Sequence, residues 1–148
     1  MTERFERFSL AISELYYYLH KITRDEMEEY GLSGPHAIYL FVLYRHKSGL
    51  TSAELSEATF KNKADVSRAV TLLEKKGLVT RKGGAKNSYR AKITLTACGV
   101  SAAEKLRDRA RVVTGEISKD ITDENRQILY TGLESIAKNM REICDVKY

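Results

Sequence analysis

The chain is poor in the residues that staple, punctuate or span. It has one proline and nine glycines in 148 residues, which excludes a collagen-like rod or a low-complexity scaffold. Its two cysteines, Cys98 and Cys144, lack Cys-x-x-Cys spacing and cannot build a disulfide framework. We expect reduced thiols and a cytoplasmic protein. The longest apolar run, residues 37–44, falls far short of the ~20 residues that a membrane span needs. Residues 1–7 mix acids and bases ahead of no cleavable apolar core, which reads as the absence of a signal peptide. There is no glycine-rich phosphate loop, no Gly-x-Ser-x-Gly and no His-Glu-x-x-His. Without a catalytic constellation, we expect neither an enzyme nor a cofactor. What is present, 43% hydrophobic and 30% charged residues, suits one folded domain with a sizeable core.

Charge is unevenly spread. Residues 58–92 hold ten bases and two acids, Asp65 and Glu74, a net +8 within a chain of net +5. A basic middle between slightly acidic flanks suits a polyanion-binding surface on a near-neutral scaffold, although a solvated face without a partner has the same composition.

Both ends of the chain carry apolar residues at alternating steps of three and four. Phe5, Phe8, Ile12, Leu15, Leu19 and Ile22 form one stripe. Ala103, Leu106, Ala110, Val113 and Ile117 form a second, on a helix expected over residues 101–117, and Leu129, Leu133, Ile136, Met140 and Ile143 a third. Such stripes are buried in a bundle within one chain or against a second copy; we favour the homodimer.

The middle reads as three shorter helices and a hairpin. Leu32-Ser33-Gly34-Pro35 opens a helix that stops near Ser48-Gly49. Thr51-Ser52-Ala53-Glu54 has the form of a capping box. Asn62 caps a third helix with Asp65 near its positive end, Val66, Val70 and Leu73 facing inward, and Gly77 as its stop. Residues 78–81 and the alternation of Ala91, Ile93 and Leu95 read as two strands around Gly83-Gly84. The expected fold is mainly α with a small β-hairpin wing: a winged helix-turn-helix lobe over 32–96, and a helical dimerisation region from 1–31 and 97–148. With its apolar stripe inward, the third helix presents Lys63, Ser67, Arg68, Thr71 and Lys75 outward, residue types that contact phosphates and base edges. Lys61 and Asn62 flank its start, Thr51 and Ser52 offer a helix N-terminus to a phosphate, and Arg81, Lys82, Lys86 and Arg90 make the wing basic.

Four segments together resemble the MarR (multiple-antibiotic-resistance regulator) family of transcriptional regulators. They are Gly49-Leu50-Thr51-Ser52-Ala53-Glu54-Leu55, Asn62-Lys63-Ala64-Asp65-Val66-Ser67-Arg68-Ala69-Val70, Leu73-Glu74-Lys75-Lys76-Gly77-Leu78-Val79-Thr80-Arg81, and Ile93-Thr94-Leu95-Thr96 with Gly99. The resemblance covers nearly the whole chain. It implies a homodimer that binds a pseudo-palindromic operator in double-stranded DNA, as a repressor released by a small phenolic or aromatic ligand. The wing departs from the family: Asn87-Ser88-Tyr89 stands where an Asp-x-Arg is common, and Asn87 and Tyr89 supply neither charge.

The ligand that the resemblance implies would lodge where the first two helices meet, drawing on Tyr16, Tyr17, His20, His36, Tyr39 and Arg45; the same tyrosines also suit ordinary packing. Relatives that sense peroxides carry a cysteine in the first helix, and residues 5–30 contain none. Cys98, at a helix start, reads as a small buried or inert thiol. As zinc ligands, His20, His36 and His46 would need a fourth group and convergence in space, and ordinary surface or hydrogen-bonded histidines are favoured, so no metal site is assigned. The alternatives kept are a winged-helix protein-interaction module without DNA function and a metal-responsive regulator.

Overall fold

The computed structural model describes residues 2–83 and 90–145. The chain forms two compact units, Met1–Arg109 and Ala110–Tyr148.

In the first unit, α1 (Thr2–Glu28) buries Met27 and little else. A 3-10 turn (Gly34–His36) precedes α2 (Ala37–Arg45), where the sequence suggested one continuous helix. The reason is local. The Ser33 N–H donates to His36 Nδ1 at 3.2 Å, tightening the first turn. Gly34 also lies against α1: a Cβ there would sit 2.3 Å from the His20 carbonyl oxygen.

Next, α3 (Ser52–Thr59) is capped by Thr51, whose Oγ1 accepts from the Glu54 N–H at 3.2 Å while Glu54 Oε2 accepts from the Thr51 N–H at 2.7 Å. The turn that follows passes through Phe60, left-handed at φ 54° and ψ 36° and 78% exposed. Asn62 then caps α4 (Lys63–Lys75). Gly77, at φ 71°, ends α4 as the spacing predicts. The Leu78 N–H reaches the Leu73 carbonyl and the Gly77 N–H that of Glu74, both at 3.0 Å, so the last carbonyls are satisfied.

The wing arms are β1 (Val79–Lys82), one residue later than expected, and β2 (Lys92–Leu95). They pair antiparallel with Val79 opposite Leu95 and Lys82 opposite Lys92. Leu50 adds a bridge to Ile93, exchanging N–H···O bonds of 3.1 and 2.7 Å. Leu40, Leu43, Leu55, Val66, Val70, Leu73, Leu78 and Ile93 are buried in the core. Ala102, Ala103 and Leu106 of α5 (Ala97–Ile117) join them. Lys105–Glu29 at 3.1 Å, an exposed pair of small energetic weight, and Arg109–Glu26 at 3.3 Å, with the Glu26 side chain 21% exposed, bring α5 to the end of α1.

In the second unit, α6 (Asp123–Asp145) has no buried residue. Among the described residues, no helix is long and apolar enough to cross a membrane.

Candidate nucleic-acid interface

The two faces of α4 separate cleanly. Val66, Ala69, Val70 and Leu73 are buried, while Lys63, Ser67, Arg68, Thr71 and Lys75 are exposed along the opposite side. That division follows from the 3.6-residue period: a helix anchored by one apolar stripe must offer the other face to solvent. Asn62 is exposed, but its side chain serves the helix start: Oδ1 accepts from the Asp65 N–H and Nδ2 donates to Asp65 Oδ2, both at 2.8 Å. Arg68 is ion-paired to Asp65 Oδ1. The sequence reading gave Asp65 only a favourable place near the positive helix end; its i, i+3 spacings to Asn62 and Arg68 were the available signal.

Three further expected contact groups are engaged as well. The Thr51 N–H is committed to Glu54, so the donor at the start of α3 is that of Ser52, which by position has no intrahelical acceptor. The bonds from Thr51, reinforced by Lys92 3.5 Å away, hold the Glu54 carboxyl below its ordinary value. Lys61 does not flank Arg68 on the open face. It is half-buried and turns back to α1, its Nζ 5.9 Å from the centre of the Tyr16 ring. Arg81, 25% exposed at its side chain, lies 3.5 Å from Glu74 instead of projecting from the wing. Lys82 and Arg90 are exposed at the wing base, and Lys86, like Asn87 and Tyr89, lies outside the described residues.

Residues 30–87, which contain the helix-turn-helix and β1, match the model of the MarR family. Along the whole length, the chain is 25% identical over 146 residues to the organic hydroperoxide resistance transcriptional regulator of Bacillus subtilis, covering 92% of this chain and 97% of that protein. A MarR transcriptional regulator from Methanosarcina mazei superimposes with a TM-score of 0.80 at 25% identity, covering 93% of this chain and 99% of that one. The chain is thus similar to MarR-family transcriptional regulators in its helix-turn-helix and in its fold. S. aureus MepR, solved as a complex with DNA, shares the fold with a TM-score of 0.78 at 19% identity, over 90% of this chain and 96% of that one.

Five of the six expected ligand residues line three hollows. Tyr16 and His20 line an apolar cleft of about 300 Å³ with Pro35, Ile38, Phe41 and Lys61. Tyr17 borders an adjoining, wider hollow of about 500 Å³ that Tyr16 and His20 also line, and His36 and Tyr39 border a third of about 280 Å³ beside Asp65 and Arg68. Arg45 is exposed at the end of α2 and lines none of the three. Tyr39 is 4% exposed; burial, then the Asp65 charge, pushes its hydroxyl above the usual value. His20 Nε2 is buried without a hydrogen-bond partner. Burial, then the Lys61 charge, lowers the pKa of His20 below the ordinary 6.5, opposed by the Gly34 carbonyl. Ile38, Phe41 and Lys61 escaped the sequence reading because no fixed spacing relates them to Tyr16. Cys98, expected to be buried or inert, is exposed in the first turn of α5.

Proposed function

We propose that this chain is a sequence-specific DNA-binding regulator of the MarR family that acts as a homodimer, represses, and is released by a small ligand. The observation that carries the reading is the outer face of α4, where Lys63, Ser67, Arg68, Thr71 and Lys75 are exposed together opposite the buried stripe. Such a helix fits the major groove, with lysine and arginine neutralising phosphates and serine and threonine reaching phosphates or bases. Ser52, Lys82 and Arg90 extend the contact on either side, and the solved MepR–DNA complex supports it by fold.

A homodimer accounts for the apolar side chains that one chain leaves in water. Leu15 and Leu19 of α1 are 60% and 56% exposed, and Ile136 and Ile143 of α6 are 40% and 60% exposed. Two lobes would then present two α4 helices to half-sites one duplex turn apart, ~34 Å. Residues 1–31 and 97–148 supply the seam in this reading. The apolar cleft supports the ligand part: a buried, unpartnered His20 Nε2 in a mostly apolar lining suits a small aromatic molecule with a polar group.

The deciding experiment selects bound sites from random duplexes and then follows affinity across a salt series. A log–log slope of about −0.9 per phosphate contacted, with a selected palindrome, is expected. A protein-interaction module would select no sequence and show no such slope.

A further inference from the structure

We propose that Asp65 is a positioning residue for base readout: pinned by Asn62, it fixes the Arg68 guanidinium so that Arg68 reads a guanine edge instead of settling on a phosphate. The proposal rests on the DNA-binding reading above and assigns a role to a residue that makes no DNA contact itself.

The geometry is a relay along one turn and a half of α4. Asn62, Asp65 and Arg68 follow at steps of three, which places them on one side of the helix start. Asp65 Oδ2 accepts from Asn62 Nδ2 at 2.8 Å, and the Asp65 N–H donates back to Asn62 Oδ1 at 2.8 Å. The other carboxylate oxygen, Oδ1, accepts from Arg68 Nη2. The carboxylate is therefore held from the helix cap on one side and holds the arginine on the other.

Charge makes this pairing informative. Asp65 and Glu74 are the only acids among ten bases in residues 58–92. Glu74, near the end of the same helix, is turned to Arg81 at the wing base, which leaves Asp65 as the acid beside Arg68, where it opposes phosphate binding. A carboxylate in that place weakens general affinity. As an ion pair between side chains that are 43% and 73% exposed, it also adds little to stability. What it does provide is orientation. Arginine carries five N–H donors in a planar fork, so one edge can stay on Asp65 while the remaining donors face the O6 and N7 acceptors of guanine. A guanidinium already held in plane loses less rotamer freedom on docking, and a fixed plane favours two-point recognition over a loose phosphate contact.

The test uses full-length protein and the sites selected from random duplexes. Affinity is measured on the selected duplex, on the same duplex with its guanine replaced, and on random DNA, for Arg68→Ala, Asp65→Ala, Asp65→Asn, Asp65→Glu and the Asp65→Ala/Arg68→Ala pair. The unaltered protein should prefer guanine by about 5- to 100-fold, and Arg68→Ala should abolish that preference. Asp65→Ala and Asp65→Asn should erode the preference without lowering affinity for random DNA, because a negative charge has been removed. Asp65→Glu should restore it. The paired variant should discriminate no worse than Arg68→Ala alone, the signature of two residues acting as one. Asp65→Asn keeps the side-chain size, and a thermal melt of each variant registers any loss of fold. Equal weakening on every duplex would assign Asp65 to helix stability, and equal tightening on every duplex would make it a latch; either overturns the proposal. Retained binding with unaltered base preference overturns it too. No duplex binding by the unaltered protein would instead remove the DNA reading, and this role with it.

Discussion

The lobe built by α2, α3, α4 and the hairpin and the long helix α6 solve the same problem in opposite ways. In the lobe, Leu40, Leu55, Val66, Val70, Leu73 and Ile93 are all fully buried within one chain. In α6, Leu129, Leu133, Ile136, Met140 and Ile143 keep the same regular spacing, yet each remains 37–60% exposed. Apolar periodicity thus says that a face wants burial and leaves open who provides it. The lobe finds its cover inside its own sequence; in the proposed assembly, α6 finds it in another copy.

Substitutions should therefore separate the two by their dependence on protein concentration. The largest effect belongs to the lobe. Leu73→Ala should cost about 2–5 kcal/mol in denaturant melts, at any protein concentration. Next, Ile136→Asp should leave the lobe folded but weaken self-association by at least about 2 kcal/mol, some thirtyfold in Kd, as read by sedimentation. A monomer of unaltered protein in the micromolar range would break the comparison. Gly34→Ala comes third, at about 1–3 kcal/mol, because the added methyl would press on the His20 carbonyl of α1. The smallest effect is one of pH. His20 titrates below its ordinary 6.5, so above that pH it is neutral whether folded or unfolded and contributes nothing. As pH falls below 6.5, the unfolded chain takes up this proton more readily than the folded one, and stability declines. His20→Gln should flatten that acid limb, again independently of concentration.

The same distinction explains what could be read in advance. Caps and stripes are local, so Thr51, Asn62, Gly77 and the inward Val66, Val70 and Leu73 were legible from spacing. Lys61 and Arg81 looked like further exposed bases, and no count of charges could show that Tyr16 and Glu74 would draw them inward. Five of the six expected ligand residues fell along three hollows, with Arg45 outside them, for a related reason. A pocket is set by how α1 meets the turn at residues 34–36, and that meeting depends on a glycine contact far along the chain. Asp65 is the opposite case: its partners lie three residues away on either side, a spacing present in the sequence itself.

The left-handed backbone at Phe60 sets a rule for how this sequence can drift. Only glycine occupies that conformation without strain, and asparagine and aspartate tolerate it better than most; branching at Cβ makes it a true outlier. A library at position 60 should therefore accept Gly and Asn and deplete Val, Ile and Thr, although the site is exposed and an inspection of burial alone would grade it as freely variable. The joint between the two helices of the lobe is in that sense a narrow gate for mutation on an otherwise permissive surface.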